Sequence, residues 1–228
     1  MEGIWKARRH SALSFDGVDD YVEVPDSASL DITDEITIEM WMKGWSQNIA
    51  SNDRFLSKEN AYALQYRFTV APLDVGVYVD GQWRWSGSYQ IPSPQNWHHI
   101  VGIYSESDRT IKAFVDSLLV ASNTLTGLAT YKINSSDYNL FLGKLTSSRS
   151  GLIASVRIYN RALSEAEVKY LCYNPDDPLD TDHLVLWLHP GSIDTDAGYW
   201  WDISGNDNHG QIFGATKVSL VSPEVTVL

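Results

Sequence analysis

The segment Ile36-Thr-Ile-Glu-Met-Trp-Met-Lys43 alternates two kinds of side chain along its whole length. Its even-numbered positions, Ile36 to Met42, are all apolar, whereas the odd-numbered positions carry Thr, Glu, Trp and Lys. Because successive side chains of a β-strand point to opposite faces of the sheet, this pattern predicts a strand with one buried face.

Short runs with the same alternation occur on both sides of this segment. The clearest is Tyr62–Val70, and others cover residues 20–24, 75–79, 99–104, 111–116, 139–144, 152–159 and 184–188. Turn-forming residues separate the runs, among them Asp16-Gly17, Asp80-Gly81 and the prolines of residues 92–94. Many short strands joined by turns predict an all-β protein, built as a two-sheet antiparallel sandwich or jelly roll.

One segment predicts a helix. Ser164 precedes Glu165-Ala-Glu-Val-Lys-Tyr-Leu171, with Glu167 at the third helical position, which is the signature of a capping box. The following residues, 174–183, are rich in Pro and Asp and poor in apolar side chains. We therefore expect a body at residues 1–173, a linker at 174–183 and a further set of strands at 184–228.

The Asp80-Gly81 pair predicts the register of one hairpin. A two-residue Asp-Gly loop between alternating runs favours a type I′ turn. The predicted partners are Val79 with Gln82, Tyr78 with Trp83, Val77 with Arg84 and Gly76 with Trp85. Tyr78, Trp83 and Trp85 would then share one face of the sheet, and Val77, Val79 and Arg84 the other.

Charge and composition limit the possible partners. The 228 residues include 17 Lys plus Arg and 29 Asp plus Glu, a formal net charge of -12, and the cations are scattered apart from Arg8-Arg9. We therefore expect no nucleic-acid partner, because a negative surface repels phosphate. No apolar stretch approaches the roughly 20 residues needed to cross a bilayer, so no membrane insertion is expected. Residues Met1–His10 lack the following apolar run of a signal peptide.

Several motifs, in order along the chain, resemble those of a known family. They are Ala12-Leu-Ser-Phe-Asp-Gly-Val-Asp-Asp-Tyr-Val-Glu-Val-Pro25, Thr37-Ile-Glu-Met-Trp41, Asn96-Trp-His-His-Ile-Val101, Phe114-Val-Asp116, Phe141-Leu-Gly143 and Gly151-Leu-Ile-Ala-Ser-Val-Arg-Ile-Tyr-Asn-Arg-Ala-Leu-Ser164. Together they resemble the laminin-G-like jelly-roll modules of the concanavalin A-like lectin and glucanase superfamily, over about residues 11–172. The resemblance implies two antiparallel sheets packed face to face.

The last part of the chain resembles the opening strands of the same family, although it follows the helix. The matching stretches are Leu184-Val-Leu-Trp-Leu188, Trp201-Asp-Ile-Ser-Gly-Asn-Asp-Asn-His-Gly210 and Ile212-Phe-Gly-Ala-Thr216. The order therefore looks permuted. We expect these strands to complete the sandwich of their own chain, or alternatively that of a neighbouring copy by strand addition. A truncated second repeat is the third interpretation.

A glycoside hydrolase is the first functional alternative, since glucanases share this fold. Hydrolysis requires two carboxylates that face each other across the scissile bond. The catalytic strand of the family carries the pattern E-x-D-x-x-E, which is absent here: Glu39 has no acidic partner two residues away, and Glu106-Ser-Asp108 falls in a predicted loop. We therefore expect a protein without catalytic residues.

Calcium is the second alternative. Related modules often hold a structural calcium near the FDG turn, and Asp16, Asp19 and Asp20 supply the oxygens that this ion prefers. Asp202, in another loop rich in oxygen ligands, is a further candidate. Ala154 and Ser155 stand where the family pattern places acids. We predict metal ligation by Asp16, Asp19 and Asp202, with turn capping by the same carboxylates as the competing interpretation.

The aromatic hairpin is the third alternative. Sugar rings stack on indole and phenol rings through their apolar C–H faces, with polar groups nearby for the hydroxyls. The predicted ligand-binding residues are Tyr78, Trp83, Arg84, Trp85 and Tyr89. The competing interpretation is that these rings belong to the core, where most aromatic strand faces of a sandwich lie.

Together these features predict a non-catalytic recognition or adhesion module that lies outside a cell or on a particle surface. Its expected partners are a glycan or a cell-surface protein, with calcium as the only expected cofactor. The alternative is a structural subunit of a virion, filament or surface layer, which assembles by exchange of the strands at 184–228.

Overall fold

The computed structural model describes residues 10–44, 53–66, 73–144 and 150–220. Within these ranges the chain forms sixteen strands, one α-helix and a short 3-10 turn at Ala28–Leu30. The elements in chain order are β1 His10–Phe15, β2 Tyr21–Val24, β3 Glu35–Gly44, β4 Asp53–Lys58, β5 Tyr62–Tyr66, β6 Leu73–Val79, β7 Gln82–Trp85, β8 His98–Ser105, β9 Thr110–Val115, β10 Leu118–Thr124, β11 Leu140–Leu142, β12 Gly151–Tyr159, α1 Glu165–Tyr173, β13 Leu184–Asp194, β14 Tyr199–Asp202, β15 Gly210–Phe213 and β16 Thr216–Leu220. The predicted all-β class with one short helix is confirmed.

The strands form two antiparallel layers. The first has the order β10-β9-β8-β3-β12-β13, and the second has the order β14-β15-β2-β11-β4-β5-β6-β7. Strand β13 connects them, because Leu188 pairs with Val156 of β12 on one side and with Asp202 of β14 on the other, and the pairing with β14 resumes at Ile193 after an irregularity in the register. The predicted antiparallel sandwich is therefore confirmed, with hydrogen bonding continuous around one end of it.

The two layers face each other across a single apolar core. Leu64 and Val75 of the second layer approach Gly102 of β8 so closely that a Cβ at this position would lie 2.7 Å from a methyl group of Val75. Glycine is required here by close packing of the layers, because a larger side chain would push them apart. The core therefore sits between β8 and the β5–β6 pair.

Strand β3 is buried on both of its faces, which corrects the predicted half-buried strand. Its even-numbered side chains enter the core between the layers, and its outward residues Thr37, Glu39 and Trp41 are also inaccessible to solvent. The helix α1 and the residues just before it cover this outer face: Trp41 packs with Cys172 of the helix, and the hydroxyl of Thr37 donates to the carbonyl of Arg161 at 2.8 Å.

The helix begins as the sequence predicts. Ser164 accepts a hydrogen bond from the backbone N–H of Glu167, and the Glu167 carboxylate accepts one from the backbone of Ser164, so the capping box is confirmed. The apolar side of the helix packs on the outer face of the first layer through Val168 and Leu171. No helix in the described ranges is long and apolar enough to cross a membrane.

Residues 174–183 follow the surface of the first layer. The Tyr159 hydroxyl donates to the carbonyl of Pro178 at 2.6 Å, and Arg161 donates to the Asp180 carboxylate at 2.5 Å. The strands after this segment pair within the same chain: β13 with β12, β15 with β2 and β16 with β1. The division into body, linker and completing strands, and the permuted order, stay predictions.

Candidate functional site

The hairpin β6–β7 has the register that the sequence predicts. Gly76 pairs with Trp85, Val77 with Arg84, Tyr78 with Trp83 and Val79 with Gln82. The turn residues Asp80 and Gly81 have φ angles of 52° and 72°, both in the left-handed region that a type I′ turn requires. The turn geometry thereby places Tyr78, Trp83 and Trp85 on the outward face of the second layer.

The three outward rings form one contiguous aromatic surface, which we call the hairpin face. The indoles of Trp83 and Trp85 stack with centroids 5.2 Å apart and planes 18° apart, and Tyr78 meets Trp83 edge-on at 5.6 Å. All three side chains are partly exposed. A Cβ on Gly76 would lie 2.3 Å from the Trp85 ring, so the indole lies directly over the backbone of β6.

A polar group borders the hairpin face. The Arg54 guanidinium lies 4.6 Å from the centroid of the Trp83 ring and also forms an ion pair with Glu59. Cation–π contact of this kind fixes the orientation of the indole and places N–H donors beside it. Arg54 was not among the sequence-predicted site residues, because it comes from β4, which is separated from the hairpin by β5.

Two of the predicted ligand-binding residues lie elsewhere. Arg84 pairs with Val77, whose side chain is in the core, so it is directed to the inner side of β7 and its Nε atom is buried. Tyr89 pairs with the buried Leu73 and packs against the core. Directly paired residues of an antiparallel ladder share a face, and the structure therefore does not bring Arg84 or Tyr89 to the hairpin face.

The loop before β2 gathers three carboxylates. One oxygen of each of Asp16, Asp19 and Asp20 lies within 4.8 Å of the others. Burial raises the pKa of Asp20, and the negative charges of Asp16 and Asp19 raise it further, while the backbone N–H of Asp16 opposes the shift. Like charges held this close fit a hard divalent cation such as calcium, which takes carboxylate oxygens as ligands.

The structure does not bring Asp202 to this group. Its carboxylate accepts hydrogen bonds from the backbone N–H groups of Trp187, Ser204 and Asn208 at 2.8, 2.9 and 3.0 Å. The hydroxyl of Ser204 donates to it as well, at 2.8 Å. These bonds match the turn-capping interpretation of Asp202 and tie the loop after β14 to β13.

Glu39, the isolated acid of β3, has structural neighbours. Glu39 is fully buried, and its carboxylate accepts from Arg157 at 2.8 Å and hydrogen bonds with the His99 ring at 3.0 Å. Burial alone would raise the pKa of Glu39, but the Arg157 charge and the His99 hydrogen bond outweigh it and lower the pKa. Glu39 therefore forms a buried ion pair on the outer face of the first layer.

A polar cleft of about 470 Å³ lies where four segments of the chain meet, and sequence reasoning missed it. We call it the acidic cleft, because Asp31, Asp34, Glu35 and Asp182 are among its lining residues. The other lining residues come from 28–33, 160, 181–185 and 204–206. The only sequence signal for this cleft is the high content of Asp, Ser and Thr in residues 27–35 and 180–183. Ordinary surface loops have the same composition, so this signal does not predict a cleft.

Solved structures of several binding proteins share this fold. A candidate carbohydrate-binding protein from Bacteroides ovatus matches with a TM-score of 0.70 and 17% identity, over 93% of this chain and 60% of that one. Botulinum neurotoxin type C, whose cell entry depends on interaction with two ganglioside molecules, matches with a TM-score of 0.58 and 13% identity, over 73% and 42% of the two chains.

A heptameric SAP-like pentraxin from Limulus polyphemus matches over almost its whole length. The TM-score is 0.57 at 13% identity, over 96% of this chain and 98% of the pentraxin. The present chain thus spans 60% of the Bacteroides protein but nearly all of the pentraxin. At these identities the similarity concerns the fold.

Sequence comparison adds the family. No curated protein sequence matches the chain. The laminin G-type family model described as "Concanavalin A-like lectin/glucanases superfamily" matches residues 16–169, which is more than half of the 228 residues. The chain therefore belongs to the concanavalin A-like lectin/glucanase superfamily.

Proposed function

We propose that this protein is a non-catalytic recognition module that binds a glycan, or a glycan-bearing surface partner, through the hairpin face. The observation that carries the proposal is the outward stack of Trp83 and Trp85, 5.2 Å apart and partly exposed, with Tyr78 at its edge. Flat aromatic surfaces of this kind suit the C–H faces of sugar rings. The Arg54 guanidinium beside them suits sugar hydroxyls, which accept hydrogen bonds.

The comparisons support the class of function. The Bacteroides protein is named for carbohydrate binding and the neurotoxin for its interaction with gangliosides, both on this architecture. Because one fold hosts many functions, these names support a binding role but do not identify the ligand. The class of ligand is proposed from the side chains of the hairpin face. We also propose that the protein lies outside the cell or on a particle surface, where such ligands occur.

Binding to a glycan array tests the proposal. We expect Trp83→Ala and Trp85→Ala each to weaken the binding of array ligands by about tenfold, since loss of one ring contact costs about 1 kcal/mol or more. Trp201→Ala is the matched control, because Trp201 is also a stacked, partly exposed indole, against Tyr199 at 4.9 Å. Absence of any glycan bound by the unaltered protein, or equal loss in the control, would overturn the proposal.

We propose calcium only as a structural ion, with no direct part in ligand binding. The carboxylates of Asp16, Asp19 and Asp20 would hold it, and it would neutralise their mutual repulsion at the start of β2. The Asp20 carboxylate also accepts the backbone N–H of Asp16 at 2.7 Å, which shapes the loop around this position.

A self-assembling structural subunit is the second candidate. The observation that favours it is the position of β13, which lies between β12 and β14 and reaches that place through the surface segment 174–183. Exchange of residues 184–220 between copies would form the pairings β13–β12, β15–β2 and β16–β1 across a dimer. Light scattering decides: a monomer at all accessible concentrations contradicts this candidate, and a stable dimer or larger assembly supports it.

A further inference from the structure

A second aromatic surface lies on the outward side of β2, β11 and β15. In the first two of these strands the alternate residues, such as Val22 and Leu142, lie in the core. Tyr21 and Phe141 therefore point away from the core, and Phe213 shares their face because it is the ladder partner of Tyr21. All three rings are partly exposed, so a ligand can reach them.

The three rings carry a lysine side chain. Tyr21 and Phe213 stack with centroids 4.5 Å apart and planes 16° apart, and Phe141 meets Tyr21 edge-on at 6.0 Å. The Nζ atom of Lys144 lies 3.6 Å from the centroid of the Phe141 ring and 5.2 Å from that of Tyr21. Cation–π contact thus holds the ammonium group beside the stack. We call these four residues the lysine platform.

No acid balances the charge of Lys144. Within the part of the chain that the structure describes, its ammonium group contacts the two rings and forms no ion pair. Arg54 at the hairpin face differs, because it pairs with Glu59. The lysine platform therefore combines a flat apolar surface with an exposed positive charge, which favours a negatively charged ligand.

The opposite side of the lysine platform is polar. Glu23 is the ladder partner of both Phe141 and Gln211, and its carboxylate accepts a hydrogen bond from the Asn139 side chain. Gln211 is exposed. These two side chains suit ligand hydroxyls, whereas the charge of Glu23 repels an anion. A ligand would therefore turn its negative group toward Lys144 and its hydroxyls toward Gln211.

The lysine platform is separate from the hairpin face, although both lie on the outward side of the second layer. Phe141 and Trp85 belong to one row of ladder partners, whose other members are Ser57, Ala63 and Gly76. The two rings are four strands apart, which is about 19 Å at the usual spacing of strands. Ala63, between them, is inaccessible to solvent. A single sugar ring cannot contact both surfaces.

We infer that the lysine platform is a second binding site, for a sugar ring that carries a carboxylate. The stack of Tyr21 and Phe213 takes the C–H face of the ring, and the ammonium group of Lys144 pairs with the carboxylate. The site goes beyond the proposed function, because it lies outside the hairpin face and selects its ligand by charge. It gives the module a preference for acidic glycans.

The test is a chemical-shift titration of the isotope-labelled protein with three probes. Methyl glucuronide has a sugar ring with a carboxylate, methyl glucoside has the same ring with a hydroxymethyl group, and acetate has the carboxylate alone. We expect saturable shifts at residues 21–23, 141–144 and 211–213 with methyl glucuronide. The affinity for methyl glucoside should be lower by about threefold to fivefold, because an exposed ion pair is lost. Acetate should bind more weakly than methyl glucuronide, since it cannot stack.

Three outcomes of this titration would overturn the inference. The first is the absence of shifts at these residues with methyl glucuronide. The second is an equal affinity for methyl glucoside, which would show that the charge of Lys144 selects nothing. The third is an equal affinity for acetate, which would show that the rings take no part.

Variants assign the two parts of the site. Lys144→Met removes the charge and is expected to abolish the preference for methyl glucuronide over methyl glucoside, whereas Lys144→Arg is expected to keep it. Phe213→Ala is expected to weaken the binding of both sugars by about fivefold, since a ring contact is lost. Lys169→Met, which removes an exposed cation of α1, is the matched control and should change neither affinity. A preference that persists in Lys144→Met would contradict the role of Lys144.

The outcome is separable from that of the proposed function. The double variant Trp83→Ala, Trp85→Ala removes the hairpin face and is expected to leave the methyl glucuronide shifts intact. Loss of these shifts in the double variant, with the fold preserved, would contradict a separate site on the lysine platform.

Discussion

Arg157 donates a hydrogen bond from its guanidinium to the carboxylate of Glu39 at 2.8 Å, and both side chains are fully buried between the first layer and α1. The same guanidinium donates to the carbonyl of Pro175 and lies 4.5 Å from the centroid of the Trp187 ring. One cation thus joins β3, β12, β13 and the segment after the helix. The outer cover of the first layer depends on this pair.

Replacement of Arg157 by Met leaves the Glu39 carboxylate buried with His99 as its remaining partner. We expect a loss of about 3 to 5 kcal/mol in the free energy of unfolding, because an uncompensated buried charge is expensive. Urea unfolding followed by tryptophan fluorescence measures it. Lys169→Met, an exposed cation on α1, is the control and should change stability little. A similar small loss for Arg157→Met would mean that the pair contributes little.

Gly76→Ala should disturb the hairpin face without changing any of its rings. The new Cβ would lie 2.3 Å from the Trp85 indole, so the ring must move away from β6 and out of its stack with Trp83. We expect a change in tryptophan fluorescence and weaker glycan binding, by about threefold to tenfold, since one ring contact is worth about 1 kcal/mol. Gly191→Ala is the control for a glycine-to-alanine change outside the hairpin face and should leave glycan binding unchanged, because the φ angle of Gly191 is not in the left-handed region and its new Cβ would meet only the side chain of His189, at 3.1 Å. Unchanged fluorescence and binding in Gly76→Ala would contradict the placement of Trp85.

The hairpin register was predictable because it depends on two adjacent residues. Asp80 and Gly81 fix the turn, and the turn fixes which side chains pair. The burial of Glu39 and Trp41 was not predictable from the alternation of β3, because it depends on where α1 packs, more than 120 residues later. The same holds for the acidic cleft, since its Glu35 and Asp182 walls meet only after the sandwich closes. Local chemistry encodes turns and caps, whereas surfaces built from distant segments require the fold.

Calcium should stabilise the protein through the loop before β2. After treatment with a chelator, addition of millimolar calcium is expected to raise the melting temperature by a few degrees, as ligand binding to the folded state does. Asp19→Asn is expected to remove this shift, because it removes one of the three carboxylates that cluster there. Asp202→Asn should lower stability with or without calcium, since that carboxylate caps a turn. No effect of calcium on melting would show that the loop holds no ion.

The capping box of α1 should make stability depend on pH. The Arg161 hydrogen bond, opposed by burial and assisted by Ser164, lowers the pKa of Glu167 from 4.5 to about 2. Since the folded pKa is the lower one, Glu167 stabilises the fold above about pH 4.5, and this contribution is lost as the pH falls from there through about 2. We therefore expect Glu167→Gln to be less stable than the unaltered protein at pH 7, by about 1 kcal/mol. That difference should shrink in urea unfolding experiments as the solution is acidified. Glu165→Gln, a neighbouring exposed acid of the same first turn, is the control for a general charge effect at the helix start. If the stability difference stays constant with pH, or is equally large in Glu165→Gln, then the contacts of the charged Glu167 carboxylate with Arg161 and Ser164 do not stabilise the fold.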